Sequence, residues 1–121
     1  MPRLGSDPQA ALPLTPATFH ILLALIDEER HGYAIMQEIA ERTGGTVKLG
    51  PGTLYGSLRR LLEQGIVEES DERADPALDD ERRRYYRISR FGVAVARAEA
   101  RRLEELVLAA RRKKLIGRAT A

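Results

Sequence analysis

Cysteine is absent from this 121-residue chain, which excludes disulfides and thiolate metal sites and leaves nothing to argue for an oxidising compartment. Histidine occurs only twice, at His20 and His31, in the contexts of the first and second helices and with no matching acid motif, so an enzymatic reading fares poorly. His31 reads as a turn or cap residue and His20 as helix surface or edge. The acidic cluster between residues 75 and 81 contains Pro76 and no histidine, and reads as a solvated loop rather than a metal site. No apolar run approaches the roughly 20 residues that span a bilayer. The opening "MPRLGSDPQAALPLTP" has no apolar centre of signal-peptide type. The expectation is a cytoplasmic protein that is no enzyme, uses no cofactor and meets no membrane, folded as one domain with at most one extra element.

Net charge is only +2, but it is unevenly spread. Residues 70 to 81, "SDERADPALDDE", hold six acids and one arginine, whereas residues 82 to 90, "RRRYYRISR", hold five arginines and no acid. Phosphate attraction acts within a Debye length of roughly 8 to 10 Å, so such a block matters more for nucleic-acid contact than the overall balance.

Periodicity orders the rest. Residues 1 to 13 lack it and read as a mobile arm. Thr15 and Pro16 suit a helix start, and Phe19, Leu22, Leu23 and Ile26 then mark one apolar face. A second helix opens at Gly32 with Ile35, Met36, Ile39 and Ala40 on one side, and stops at Gly44 and Gly45. After a short extended piece at Val47 to Leu49, Gly50 and Pro51 start a third helix whose Leu54, Leu58, Leu61 and Leu62 form a stripe. Opposite that stripe lie Gly56 and Arg60, flanked by Thr53 and Arg59, with Tyr55 and Ser57 toward the edges. A glycine on an exposed helix face suggests close approach to a partner surface. Gly65 ends this helix; "IVEES" and "RRRYYRIS" then read as strands joined by an acidic loop, with Tyr86 and Ile88 pointing to the core.

The implied fold is mainly α with a small β-hairpin: a winged helix-turn-helix over residues 14 to 90, followed by a long C-terminal helix over residues 91 to 116 and a tail at 117 to 121. In that arrangement the third helix enters a DNA major groove and the hairpin lies beside it. Along the last helix Val93, Ala96, Ala100, Leu103, Val107 and Ala110 are spaced as a heptad seam, widened by Leu106. Too long to be covered by so small a domain, it suits a second copy as partner, with closest approach expected near Ala96 and Ala100.

Three stretches, "HGYAIMQEI" at 31 to 39, "LGPGTLYGSLRRLLEQGIVEE" at 49 to 69 and "RRRYYRISRFG" at 82 to 92, together resemble the PadR family of bacterial transcriptional regulators. The single helix after the hairpin looks like the family's short-form members. The resemblance implies a homodimeric repressor that binds a double-stranded DNA operator and is often relieved by a small-molecule effector. By position it places DNA contacts on Tyr33, on Thr53, Tyr55, Ser57 and Arg59, and on hairpin arginines among Arg82, Arg83 and Arg84; the groove-face geometry adds Arg60. Two departures stand out. Gly50 occupies a cap position where the family often has Ser or Thr, and the absence of tryptophan removes any effector pocket built on tryptophan stacking.

Plainer readings stand beside these. Tyr33 and Tyr55 would serve as half-buried core aromatics. Arg59 and Arg60 would pair along the helix with Glu63 and Gln64. Arg82 to Arg84 would be neutralised by Asp79, Asp80 and Glu81. The alternative function is a winged-helix module that binds protein and not DNA, although such a module needs neither a five-arginine strand nor a glycine on the helix face. RNA binding is disfavoured, since Tyr85 alone among the strand residues offers a stacking platform.

Overall fold

The computed structural model describes residues 7 to 74 and 82 to 117, and within them all side chains except those of residues 72 to 74 and 82. Its elements in chain order are α1 (Pro16–Leu25), β1 (Arg30–His31), α2 (Gly32–Arg42), α3 (Pro51–Glu63), β2 (Val67–Ala74), β3 (Arg82–Ile88) and α4 (Arg90–Arg112). The strands form one antiparallel sheet in the order β1-β3-β2.

Thr15 caps α1 as its position requires: the Thr18 N–H donates to Thr15 Oγ1 at 3.1 Å, and Pro16 occupies the first turn. The apolar face of α1 differs from the expected one. Ile21, Leu22, Ala24 and Leu25 are buried, Phe19 and Leu23 are half-buried, and Ile26 is 48% exposed. Helices α2, α3 and α4 and strand β3 all pack on α1, so it is covered on several sides. A helix apolar nearly all round gives no direction by periodicity.

His31 caps α2, its Nδ1 accepting the Ala34 N–H at 3.1 Å, and Ile35 and Ile39 go fully into the core. The extended piece lies elsewhere than expected. Val47 to Leu49 form no strand; the Val47 N–H instead donates to Thr43 Oγ1 at 3.1 Å. The strand partner of β3 is the pair Arg30–His31, opposite Tyr86 and Tyr85. Two residues are too few for an alternating pattern to mark them.

The leucine stripe of α3 is buried as expected at Leu54, Leu58 and Leu61, with Leu62 half-buried. Gly65, at φ 73°, turns the chain out of the helix and into β2. On β3, Tyr86 is buried and Ile88 is packed against the core. Strand β2 runs four residues beyond "IVEES", with a register shift between Glu69 and Glu72. Most of the expected acidic loop, residues 75 to 81, lies outside the described residues.

One junction joins α3, the hairpin and α4. The Ser89 N–H donates to the Ile66 carbonyl at 3.0 Å, and the Ser89 hydroxyl donates to Gly65 O at 2.6 Å while its oxygen accepts the Gly92 N–H at 2.9 Å as the cap of α4. Gly92 lies directly on this junction. A Cβ there would strike the Ile66 carbonyl oxygen and come within 2.7 Å of Ile88 Cγ1.

From this anchor α4 runs 23 residues, on the order of 35 Å at 1.5 Å rise per residue, and ends at Arg112 with Lys114 at φ 64°. That is four residues short of the expected end. Gly92, Val95, Ala96 and Glu99 face its own domain and are buried there. Residues 8 to 13, read from sequence as part of a mobile arm, are folded: Pro8–Ala11 form a 3-10 turn against α4, and Ala11 and Leu12 pack on the core. A four-residue turn carries no period, so only its partner reveals it.

Glu99 is the charged residue of that buried face, 2% exposed. Its carboxylate accepts both Arg102 Nε and Arg102 Nη2 at 2.8 Å. That pairing, opposed by burial and aided by the Leu14 N–H, holds the Glu99 carboxyl below the ordinary glutamate range. A depressed folded value means that the stabilisation is present above the unfolded pKa and is lost as pH falls through the folded one. Glu99→Gln should therefore be less stable than the wild type at neutral pH by about 1 to 3 kcal/mol, the scale of a hydrogen bond to a charged group. The difference should shrink as pH is lowered below the ordinary glutamate value, which denaturant titrations of both proteins across that range will read.

Candidate nucleic-acid interface

With Leu54, Leu58 and Leu61 turned inward, α3 presents Thr53, Tyr55, Arg59 and Arg60 to solvent. Tyr55 is 41% exposed and Tyr33, near the start of α2, is 51% exposed, so neither is a core aromatic. Arg59 has no ion-pair or hydrogen-bond partner among the described residues. Arg60 does not pair with an acid either; its Nη2 lies 3.4 Å from Ser57 Oγ. Ser57 itself is 3% exposed, so it is removed from the outward face and acts there through Arg60. Gly56, on the same side, leaves room for the Arg60 guanidinium, whose Nη1 would lie 3.9 Å from a Cβ at that position. The N-terminus of α3 has no side-chain cap, since Gly50 supplies none.

Tyr55 draws three elements together. The hydroxyl end of its ring lies against Gly32 at the first turn of α2. Its phenol also acts on that of Tyr86 on β3: the Tyr86 pKa is raised, by burial first and then by Tyr55 and Glu69, with Arg84 acting the other way. Tyr33 directly follows Gly32 in the chain, and Arg59 lies one turn farther along α3 from Tyr55.

The hairpin arginines divide. Arg84 Nη1 pairs with Glu69 Oε1 at 3.4 Å and Arg87 Nε with Glu68 Oε1 at 3.1 Å, both across the ladder from β2. Such exposed pairs hold by roughly 0.2 to 1 kcal/mol and exchange readily for a phosphate. Arg83 is half-buried, with its Nε lacking a hydrogen-bond partner among the described residues. The side chain of Arg82 and the acids Asp79, Asp80 and Glu81 are outside the described set, so pairing with that loop is not among the observed contacts. On the other side of β3, the Tyr85 ring meets His31 edge-on at 5.3 Å, tying the hairpin to the cap of α2.

The expected self-association seam is split. Ala96 is 8% exposed, covered by its own domain, and Val93 is half-buried. Ala100 is exposed, Leu103 and Ala110 are half-buried, and Leu106 and Val107 are 56% and 38% exposed. In the single chain Ala96 is thus covered, and the exposed apolar surface lies farther along the helix.

Sequence reasoning missed the role of Gly32, the β1 bridge, the Glu99 pair and the Ser57–Arg60 contact. A signal for the first was available: a glycine directly after a capping histidine, where the backbone does not require it. Among the described residues no group of His, Asp and Glu could hold a metal ion, and no helix is long and apolar enough to cross a membrane.

Known proteins with this architecture carry the same elements. A transcriptional regulator from Clostridium thermocellum superposes with a TM-score of 0.62 at 25% identity, over 84% of this chain and 92% of that one. Bacillus subtilis PadR, in complex with operator DNA, superposes with a TM-score of 0.60 at 18% identity, over 69% of this chain and 46% of that one, a likeness of fold. In sequence, a transcriptional regulator of Mycobacterium tuberculosis is 39% identical over 87 residues, 72% of this chain and 75% of that one. An uncharacterised protein of Lysinibacillus sphaericus is 34% identical over 74 residues, so that the match spans 65% of that relative's length and 61% of this chain. The model of the transcriptional regulator PadR-like family matches residues 21 to 98, from the second half of α1 to the first turns of α4. The chain belongs to the PadR-like family of transcriptional regulators, with a winged-helix fold and one long C-terminal helix.

Proposed function

We propose that this regulator binds double-stranded DNA sequence-specifically as a homodimer, with α3 in the major groove and the β2–β3 hairpin over the adjacent backbone, and that it acts as a repressor. The observation that carries the reading is the outward face of α3: Thr53, Tyr55, Arg59 and Arg60 stand exposed on a helix whose Leu54, Leu58 and Leu61 are buried, and Tyr33 and Arg84 are exposed as well. Arg59 and Arg60 suit base edges or phosphates; Tyr33 and Thr53 suit phosphates; Arg82, Arg83 and Arg84 position the hairpin without reading sequence. Ser57 serves by holding Arg60. A dimer seated on a promoter excludes polymerase, which is the repressor form of the reading. Two surface grooves among the described residues, of about 300 and 270 Å³, are lined by Arg30 with side chains of α2 and by Pro8 and Gln9 with side chains of α4. In this reading a small-molecule effector would sit between two copies. The face of α4 that packs on its own domain continues past it as Leu103, Leu106, Val107 and Ala110, which is the surface a second copy would cover.

The test is a titration of purified protein against DNA from upstream of its own gene and against duplexes selected from a random pool, at several salt concentrations. Equal affinity for selected and scrambled duplexes would favour the protein-binding module instead. Arg59→Ala should weaken binding to the selected duplex by about 1 to 3 kcal/mol with the thermal transition unchanged, since its side chain supports nothing in the fold. Arg83→Ala should lower affinity for all duplexes alike and reduce the slope of log affinity against log salt by about one. Leu103→Asp should sediment as a monomer that keeps its helical signal, and should bind the full selected site more weakly by a factor on the order of 10², because the second half-site is no longer linked.

A further inference from the structure

Gly32 has no backbone reason to be glycine. Among the described glycines only Gly44, Gly45 and Gly65 have positive φ, and Gly32 is an ordinary first residue of α2 that any side chain could occupy on conformational grounds. What excludes a side chain is Tyr55. A Cβ at Gly32 would strike the Tyr55 hydroxyl and come within 2.7 Å of Cζ and 3.0 Å of Cε1, so the far end of the ring occupies the space a Cβ would need. Tyr55 is otherwise 41% exposed and is no part of the apolar core. The contact therefore does something other than fill the interior.

Resting on the DNA-binding reading above, we propose that Gly32 is a positioning residue for DNA recognition: its bare backbone seats the Tyr55 ring against the first turn of α2. The neighbours define what that seat fixes. Gly32 lies between His31, whose ring caps α2 and meets Tyr85 of the hairpin, and Tyr33, which stands exposed on the recognition surface. The far end of the Tyr55 ring is thus placed by the first turn of α2, while the residue itself stays 41% exposed. An alanine at 32 forces the ring off this seat. A displaced phenol loses the contact that it makes in the DNA-binding reading. Because no charge is added or removed, the effect falls on fit to a particular sequence and not on the general attraction to phosphate.

The experiment is a double-mutant cycle of Gly32→Ala and Tyr55→Ala in the full chain, read by titration against a duplex selected by the wild type and against a scrambled duplex, with thermal melts of all four proteins. Gly32→Ala should lose about tenfold or more in affinity for the selected duplex, lose little for the scrambled one, and leave the salt slope unchanged. In the Tyr55→Ala background the same substitution should change affinity by less than twofold and should not lower the melting temperature, since the clashing ring is gone. Equal losses with and without the ring overturn the proposal, and so does wild-type binding by Gly32→Ala. If Gly32→Ala alone fails to fold, the double variant must fold and bind as Tyr55→Ala does; its failure also overturns the proposal. A wild type that prefers no duplex fails at the DNA-binding reading itself and takes the proposal with it, whereas preference with additive losses removes only the role of Gly32.

Discussion

The Ile66 carbonyl is the point on which the arrangement of elements depends. It receives the Ser89 N–H and lies against the Cα of Gly92, while the Ser89 hydroxyl goes to the neighbouring Gly65 carbonyl, so the end of α3, both strands of the hairpin and the start of α4 meet within two successive backbone groups. Because Gly92 has no side chain, α4 can approach to backbone contact. The direction in which α3 presents its arginines relative to the hairpin, and the direction in which α4 leaves the domain, are set by this one joint. A methyl group at Gly92 would separate them, and no nearby side chain could yield, since the obstacle is backbone.

The α4 helix shows how a single apolar face can have two uses. Gly92, Val95, Ala96 and Glu99 follow the spacing of a helix stripe and are spent on the chain's own domain. The same stripe then continues as Leu103, Leu106 and Ala110 beyond the reach of that domain. The first part is bound by packing and by the Glu99–Arg102 pair, which brings a charge into the interior only because both carboxylate oxygens are met. The second part has no such cover in a single chain. A heptad spacing records only that one side is apolar; it does not record where along the helix one partner ends and the next begins.

Charge on the hairpin is partly paired within it. In the register of β2 and β3, Arg87 lies opposite Glu68 and Arg84 opposite Glu72, whereas Arg83 lies opposite Arg73. The pairs Arg84–Glu69 and Arg87–Glu68 are exposed and weak.

Much was legible without coordinates. The leucine stripe of α3, the caps at Thr15 and His31, the stop at Gly65 and the inward Tyr86 each follow from local spacing or from the chemistry of one residue, and three ordered motifs carried the family. Outward placement of Arg59 and Arg60 followed from the same periodicity, and Tyr33 came from the family resemblance; of the two edge positions Tyr55 fell outside and Ser57 inside, because a boundary position is decided by what packs beside it. Tertiary structure alone decided the face of α1, since a helix surrounded by neighbours has no polar side to orient it. It decided also the pairing of Arg30–His31 with β3, the folding of Pro8–Ala11 onto α4 and the division of the α4 stripe, all contacts between residues far apart in the chain. The seat of Tyr55 on Gly32 is of this kind: each residue has its local reason to be where it is, but the reason for the glycine lies 23 residues away, in a ring that only the packing of α2 against α3 brings to it.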